Sequence, residues 1–253
     1  MFLRDCVISS LESEMPIRAV LFDMFDTLMM IEKDHAFYSP SLRGAYDFLV
    51  AHGVNVEFSV FEKAYIEARD AIFAVADAKL EEPHFNLRIA AALEQLGYAH
   101  GVSSELVTGA TNAFCDAFMN FVRVDDYAKI VLGKLHGRYK IGIVSNFAIP
   151  ECVLKLLERE GLAGFFDVVI VSGAVNRRKP SLDIYRKALD ALDVRADETV
   201  FVGDTVDADV VGPKEAGMKT VYIERRVQKG VDDACPDQII KSFGDLPAAL
   251  ERC

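Results

Sequence analysis

The sequence predicts an α/β protein, in which a parallel β-sheet carries helices on both faces and a helical block is inserted after the first strand. From residue 140 onward, short apolar runs alternate with amphipathic segments, which implies parallel strands joined by right-handed crossovers. The earlier apolar run Ala19-Val20-Leu21-Phe22 does not alternate with polar residues, as is typical of a strand buried on both faces. Between these regions, residues 32–126 carry helical periodicity.

The first predicted strand ends in a carboxylate, Asp23. In open α/β sheets the carboxyl ends of the strands border the ligand crevice, so Asp23 is a candidate functional residue. A turn-capping role is the alternative for an aspartate at this position.

Four helices are predicted in the inserted block, each from apolar residues spaced three or four apart. Their start signals are, in order, Ser39-Pro40, the capping-box pair Ser59 and Glu62, Asn86, and Ser103 or Ser104. Because no Gly/Ser linker flanks the block, we expect an insertion at residues 32–126 rather than a tethered separate domain.

The alternating region supplies the rest of the predicted core. Strands are predicted at residues 141–145, 168–171, 199–203 and 220–223, and helices at 151–160, 181–192 and 207–216. We expect the first strand to join this sheet, so that residues 15–31 and 127–253 form one core. Because Met15-Pro16 resembles a natural chain start, residues 1–14 are expected to be a peripheral extension.

Composition narrows the classes of partner. The net charge of −11 argues against nucleic acid and anionic membrane surfaces as partners, because both would repel the chain. If the substrate is a small anion, the site must supply local positive charge or a cation. The five cysteines are scattered, as in a reduced compartment, and the sequence shows no signal peptide or membrane span. We therefore expect a cytoplasmic monomer or homodimer.

Further polar residues follow the later predicted strands. They are Ser145-Asn146, Lys179-Pro180, and Gly203-Asp204-Thr205 with Asp209. Together with Asp23, a hydroxyl, a lysine and a second carboxylate suit nucleophilic attack on an anionic ester. Each residue alone has a structural alternative, because strand-end hydroxyls often satisfy loop backbone and aspartates often cap helices.

In this order, the polar residues resemble the four motifs of the haloacid dehalogenase (HAD) superfamily. The matching stretches are Asp23-Met24-Phe25-Asp26-Thr27-Leu28, Ser145-Asn146, Arg178-Lys179-Pro180, and Gly203-Asp204-Thr205 with Asp209. The inserted block lies where that family carries its cap. The resemblance implies a Rossmann-like, doubly wound parallel sheet core with an inserted all-helical cap domain.

The resemblance also implies roles for the motif residues. Asp23 would be the nucleophile, Thr27 and Ser145 would donate hydrogen bonds to the transferred group, and Lys179 would balance charge. Ser145, Asn146 and Lys179 would contact the substrate.

Magnesium is the cofactor that the resemblance implies. Mg²⁺ would be held by the Asp23 side chain, the Phe25 backbone carbonyl and Asp204, with Asp209 supporting it indirectly, since Mg²⁺ prefers oxygen ligands and keeps part of its water. The expected activity is that of a Mg²⁺-dependent phosphatase acting on a small phosphorylated metabolite.

One departure from the family pattern leaves alternatives open. Phosphatases of the family carry a proton-donating aspartate where this chain has Phe25, and Asp26 stands where a glycine is usual. An aromatic residue there resembles the metal-independent 2-haloacid dehalogenases, which also carry a tyrosine matching Tyr185, but Asp204 would leave two carboxylates repelling without a cation. A catalytically weak binding or regulatory protein on the same fold is a further alternative.

Overall fold

The computed structural model describes residues 16–32, 36–225, 228 and 230–253. The predicted extension at residues 1–14 lies outside the described residues. Within them the strands, in chain order, are β1 (Ala19–Phe22), β2 (Met29–Ile31), β3 (Val122–Val124), β4 (Lys140–Ser145), β5 (Val168–Val171), β6 (Thr199–Gly203), β7 (Lys219–Ile223) and β8 (Gln238–Ile240).

Six of these strands form one parallel sheet, in the order β5-β4-β1-β6-β7-β8. Strand β1 lies in its interior, where Val20 pairs in register with Ile141 on one side and Val200 on the other. The order reverses direction at β1, so the carboxyl ends of β1, β4 and β6 border the crevice typical of such sheets. The predicted doubly wound parallel core is confirmed.

The helices of the described residues are α1 (Tyr38–Ala51), α2 (Phe58–Ala76), α3 (Phe85–Gln95), α4 (Glu105–Met119), α5 (Ala128–Leu135), α6 (Pro150–Arg159), α7 (Ser172–Val175), α8 (Leu182–Leu192), α9 (Gly212–Glu215), α10 (Val231–Ala234) and α11 (Leu246–Leu250). No helix in this part of the chain combines the length and apolarity needed to cross a membrane. Cys115 and Cys152 are buried thiols that form no disulfide.

Strand β1 is apolar on both faces because each face has its own helical cover. Val20 and Phe22 belong to the core cluster that contains residues of α5 and α6, whereas Ala19 and Leu21 pack in the cluster that contains α8. All four side chains are buried. This double burial explains why the sequence of β1 lacks the alternation of a half-exposed strand.

Helices α1 to α4 follow one another between β2 and β3, and they pair as α1 with α4 and α2 with α3. Ser104 caps α4 by accepting a hydrogen bond from the backbone N–H of Val107, as predicted. The capping-box prediction at Ser59 was wrong, because α2 begins at Phe58 after an N-cap at Glu57 that makes no side-chain cap.

The antiparallel pair β2–β3 was not predicted. Met29 pairs with Val124 and Ile31 with Val122, so the two strands of this ribbon directly precede and follow the helical block in the chain. Each strand is three residues long and its only strand partner lies at the far end of the insertion. A short local window therefore carries no pattern from which this pairing could be inferred.

The predicted helix at residues 207–216 is interrupted. The chain forms a π-helical turn at Val206–Val211 and only then the α-helix α9. Pro213 lacks a backbone N–H, and the Tyr185 hydroxyl donates to the carbonyl of Ala208. A Cβ atom at Gly212 would lie 2.4 Å from the Tyr185 hydroxyl, so glycine permits this close approach.

We predict that Leu21→Ala lowers the free energy of unfolding by about 2–5 kcal/mol, because it opens a cavity in the middle of the sheet. Leu154→Ala is the matched control, since Leu154 on α6 is 49% exposed and its loss should change stability by no more than about 0.5 kcal/mol. Urea unfolding followed by circular dichroism measures both values. Equal losses in the two variants would contradict the central position of β1.

Candidate active site

One lysine bridges two buried carboxylates at the carboxyl edge of the sheet. The Lys179 Nζ atom lies 2.7 Å from Oδ1 of Asp23 and 2.7 Å from Oδ1 of Asp209. The Lys179 side chain is 2% exposed, so its charge is almost fully removed from water. Ion pairs buried in this way depend on complete pairing, because a single charge left alone is strongly destabilising.

Most of the predicted site residues line one cavity of about 390 Å³. Asp23, Asn146, Lys179, Asp204 and Asp209 all line it, together with Phe25 and Asp26. These residues come from four separate stretches of the chain, which the parallel sheet brings to one edge.

Thr27 and Ser145 are placed differently. Neither residue lines the cavity, both are buried, and neither hydroxyl has a hydrogen-bond partner among the described residues. An unpaired hydroxyl in the interior costs free energy, so each of these two would be stabilised by a hydrogen bond.

The loop after β1 is a tight turn. The Asp23 N–H donates to the carbonyl of Val202, which continues the pairing with β6, and the N–H groups of Leu28 and Met29 both donate to the Met24 carbonyl. The chain reverses at Asp26, whose φ angle of +59° lies in the left-handed region that aspartate tolerates better than most residues. Its Oδ1 accepts a hydrogen bond from the Ile31 N–H, which gives Asp26 a structural role in this turn.

Asn146 fixes the backbone on either side of the Lys179 side chain. Its Oδ1 accepts from the Lys179 N–H at 2.8 Å, and its Nδ2 donates to the Lys179 carbonyl at 3.0 Å. This two-point contact joins the loop after β4 to the loop that carries the lysine.

Three carboxylates form the acidic side of the cavity. One oxygen from each of Asp23, Asp204 and Asp209 lies within 4.8 Å of the others. A Cβ atom at Gly203 would lie 2.3 Å from Cγ of Asp209, so glycine at the end of β6 allows this approach. Such a set of oxygen donors has the chemistry that hard divalent cations such as Mg²⁺ prefer.

Burial raises the pKa of Asp23 to about 6, with Lys179 acting in the opposite direction and Asp209 adding to the rise. Burial by itself would lower the pKa of Lys179, but Asp209 and Asp23 together hold it above its ordinary value. The lysine therefore stays charged between its two carboxylates at neutral pH.

Phe25 belongs to an aromatic cluster on the other side of the cavity. Its ring centroid lies 4.9 Å from that of Phe147 and 5.5 Å from that of Phe118, and Phe37 packs on Phe118 at 4.7 Å. We call these four rings the aromatic wall; three of them, Phe25, Phe37 and Phe147, line the cavity and make part of its surface apolar.

Two residues that the sequence analysis missed support the site. Arg225 donates to the carbonyls of Asp26 and Thr27 and forms an ion pair of 2.7 Å with Asp125, so it ties the turn after β1 to the chain after β3. Gln228 lines the cavity and donates to the Asp204 carbonyl at 2.7 Å. Both follow β7 in a stretch without a recognisable motif.

A model of the family described as haloacid dehalogenase-like hydrolase matches residues 17–217. The chain belongs to this family. The HAD resemblance of its motifs is thereby confirmed, and the protein is a hydrolase.

Relatives and solved structures agree with this assignment. A glyceraldehyde 3-phosphate phosphatase of Methanopyrus kandleri is 30% identical over 92% of this chain and 95% of its own length, and one of Pyrococcus abyssi is 29% identical over 82% of each. A 2-haloacid dehalogenase from Pseudomonas syringae pv. Tomato superimposes with a TM-score of 0.70 at 22% identity, covering 93% of this chain and 99% of that one. A HAD phosphatase from Thermococcus onnurineus gives 0.63 at 23% identity, covering 92% and 98%. At these identities the structures establish the fold alone.

We predict that Lys179→Met strengthens the dependence of this HAD-like hydrolase's stability on pH. Lys179 holds the pKa of Asp23 down, so without the ammonium that pKa rises further in the folded state. The folded chain then binds more protons than the unfolded chain, and stability falls as pH rises. The expected loss is about 3–5 kcal/mol at pH 8 and smaller at pH 5.

Thermal and urea unfolding in chelator measure this effect. Lys187→Met is the matched control, because Lys187 is exposed on α8 and its removal should leave the pH profile of stability unchanged. A deficit of the same size at both pH values would contradict the coupling between Lys179 and the two carboxylates.

Proposed function

We propose that this HAD-like hydrolase is a Mg²⁺-dependent phosphatase that cleaves small phosphate monoesters with Asp23 as its nucleophile. The observation that carries the proposal is the placement of Asp23, buried at a strand end, between the Lys179 ammonium and two further carboxylates in one cavity. A nucleophilic carboxylate facing an anionic substrate needs cationic neighbours, and this cavity has both the lysine and an oxygen-donor set for a metal.

The names of the relatives support phosphate esters as substrates. Besides the glyceraldehyde 3-phosphate phosphatases, a pyrophosphatase of Bacillus mycoides matches at 38% identity over 45% of this chain, although only 53% of its own length is covered. These names share a phosphoryl group and differ in the organic part. The names therefore support hydrolysis of a phosphoryl group more strongly than they support any one substrate.

In the proposed reaction an Asp23 carboxylate oxygen attacks the phosphorus atom. A bond forms between that oxygen and phosphorus, the bond from phosphorus to the alcohol oxygen breaks, and the alkoxide takes its proton from solvent because Phe25 has none to give. Water then attacks the phosphoryl-aspartate, releasing inorganic phosphate and regenerating Asp23.

The other residues position and neutralise charge. Lys179 would offset charge on Asp23 and on the phosphoryl oxygens, while the unpartnered hydroxyls of Thr27 and Ser145 would donate hydrogen bonds to the phosphoryl group after a small adjustment of the loop. Asn146 would contact substrate and hold the backbone of Lys179.

Asp23, Asp204 and the Phe25 carbonyl would hold Mg²⁺, with Asp209 supporting them through Lys179 and water. The fit rests on the three carboxylates, since one oxygen from each of Asp23, Asp204 and Asp209 lies within 4.8 Å of the others and Mg²⁺ prefers hard oxygen ligands. When bound, the ion would offset the repulsion between the nucleophile and the phosphate dianion.

We also propose that residues 32–126 form the cap and residues 15–31 with 127–253 the core. The β2–β3 ribbon would be the connection between them. A helical cap over the crevice would choose the organic part of the substrate and exclude water. A cytoplasmic enzyme acting on soluble metabolites as a monomer or homodimer is consistent with this proposal.

Metal-independent dehalogenation of 2-haloacids is the second candidate, and Phe25 is the observation in its favour. A halide leaves without a proton, so an aromatic residue at this position costs such an enzyme nothing. Tyr185, however, is buried on α8 against the Ala208 carbonyl and does not line the cavity, and Asp204 does line it.

A phosphate-release assay against phosphate monoesters, run with Mg²⁺ and with chelator, tests the proposal. We predict turnover that requires Mg²⁺ and no halide release from 2-chloropropionate. Halide release in chelator with no phosphate release would reverse the order of the two candidates. If neither phosphate nor halide is released, a binding or regulatory role on the HAD fold is the alternative that remains.

We predict that Asp23→Asn lowers the rate of phosphate release at least about 10³-fold, because an amide oxygen is a poor nucleophile. Asp190→Asn is the matched control, since Asp190 is exposed on α8 away from the crevice, and its rate should equal that of the wild type. Undiminished turnover by Asp23→Asn would sink the proposed mechanism.

A further inference from the structure

A second cavity lies beside the catalytic one and shares a wall with it. It measures about 240 Å³ and is bounded by residues of both the helical block and the loop after β4. Phe37, Asn146 and Phe147 line both cavities, so a ligand that extends from Asp23 across these residues enters the second one. We call it the aromatic cavity.

Half of its remaining lining residues are aromatic. Phe73, Phe85 and Phe114 contribute rings, as does Tyr38, whose hydroxyl is hydrogen-bonded to that of Tyr65. A cavity of about 150 Å³ holds a benzene molecule, so this volume suffices for one substituted ring. Aromatic linings with a few fixed polar groups are typical of sites for planar apolar ligands.

The cavity contains one guanidinium group. Arg88, on α3, is 8% exposed and lies against the Phe73 ring, with its Cζ atom 4.7 Å from the ring centroid. One of its terminal nitrogens donates to Glu82 at 3.1 Å. Its Nε is buried and has no hydrogen-bond partner among the described residues. A buried donor of this kind costs free energy until an acceptor reaches it.

Arg88 is held in place by the start of its helix. The Phe85 N–H donates to the Ala148 carbonyl at 3.0 Å, and His84 both caps α3 and lies 3.1 Å from Glu151 on α6. The helix that carries Arg88 is therefore fixed against the same loop that borders the catalytic cavity.

The Arg88–Glu82 ion pair determines which kind of ligand group can accept a hydrogen bond from Nε of Arg88. Glu82 already balances Arg88, and its side chain is 10% exposed. A carboxylate on the ligand would add an unpaired negative charge to an apolar cavity, whereas a carbonyl oxygen accepts the Nε–H without changing the charge.

We propose that the aromatic cavity binds the alcohol portion of the substrate, and that this portion is a planar ring bearing a neutral carbonyl acceptor recognised by Arg88. This inference rests on the proposed phosphatase function and adds to it a substrate class and a specificity-determining residue. Arg88 acts on substrate choice and takes no part in the attack by Asp23.

Three synthetic esters test the inference: benzyl phosphate and its para-carbamoyl and para-carboxylate derivatives. We expect the wild-type kcat/KM for the carbamoyl ester to exceed that for benzyl phosphate by about 10- to 100-fold, as for a hydrogen bond from a charged donor. The difference should lie mainly in KM, and the carboxylate ester should be the poorest of the three.

The double variant Glu82→Gln/Arg88→Met removes both charges together, since losing Arg88 alone would leave Glu82 buried and unpaired. We expect its ratio of carbamoyl to benzyl kcat/KM to approach about 1. If this variant fails to fold, Arg88→Lys serves instead, because it keeps the ion pair and removes Nε. Arg43→Met is the matched control and should keep the wild-type ratio, since Arg43 is exposed and stacks on Phe58 outside the cavity.

Calorimetric titration of the wild type with para-hydroxymethylbenzamide measures binding without any phosphoryl chemistry. Equal kcat/KM for all three esters, or an unchanged ratio in the variants, would overturn the role of Arg88 and leave the phosphatase standing. If the benzamide binds in a manner that depends on Arg88 but no ester is hydrolysed, the proposed phosphatase function would be overturned, and the aromatic cavity would stand as a binding site. Absence of both binding and hydrolysis would overturn both.

Discussion

The contact of Lys179 with Asp23 and Asp209 is the constraint on which the site depends. Three charges are buried together at the edge of the sheet, and the arrangement holds because each carboxylate has the ammonium at 2.7 Å. The lysine also fixes the distance between two loops that arise from different strands. The same contact that makes the buried charges tolerable therefore positions Asp23.

Around this contact, the backbone makes close approaches and a tight turn that few residue types permit. Glycine at position 203 lets Asp209 approach the end of β6, and Gly212 lets the Tyr185 hydroxyl reach the interrupted helix. Asp26 turns the chain at a positive φ angle, and Arg225 secures that turn by binding its carbonyls. These contacts hold the turn that follows Asp23 in one conformation.

The opposite side of the crevice is aromatic. Phe25 fills the place where a proton donor is expected in this family, and its ring packs with Phe118 and Phe147 into a wall shared by α4 and the loop after β4. Two residues of this wall, Phe37 and Phe147, line both the charged cavity and the aromatic cavity that contains Arg88. The apolar residue at position 25 is therefore part of a continuous surface, and its presence is explained by packing as well as by chemistry.

The sequence by itself determined the parallel sheet, because strands buried on both faces are recognisable from short apolar runs. It also determined that Asp23, Asn146, Lys179 and Asp204 converge, because the carboxyl ends of parallel strands lie at one edge of the sheet. The sequence also showed that a phenylalanine, Phe25, stands two residues after Asp23. Only the tertiary structure decided the β2–β3 ribbon, the supporting contacts of Arg225 and Gln228, and the cavity that surrounds Arg88. Each of these joins segments far apart in the chain through side chains that carry no local signal, so their pairing is set by packing of the whole molecule rather than by neighbours in sequence.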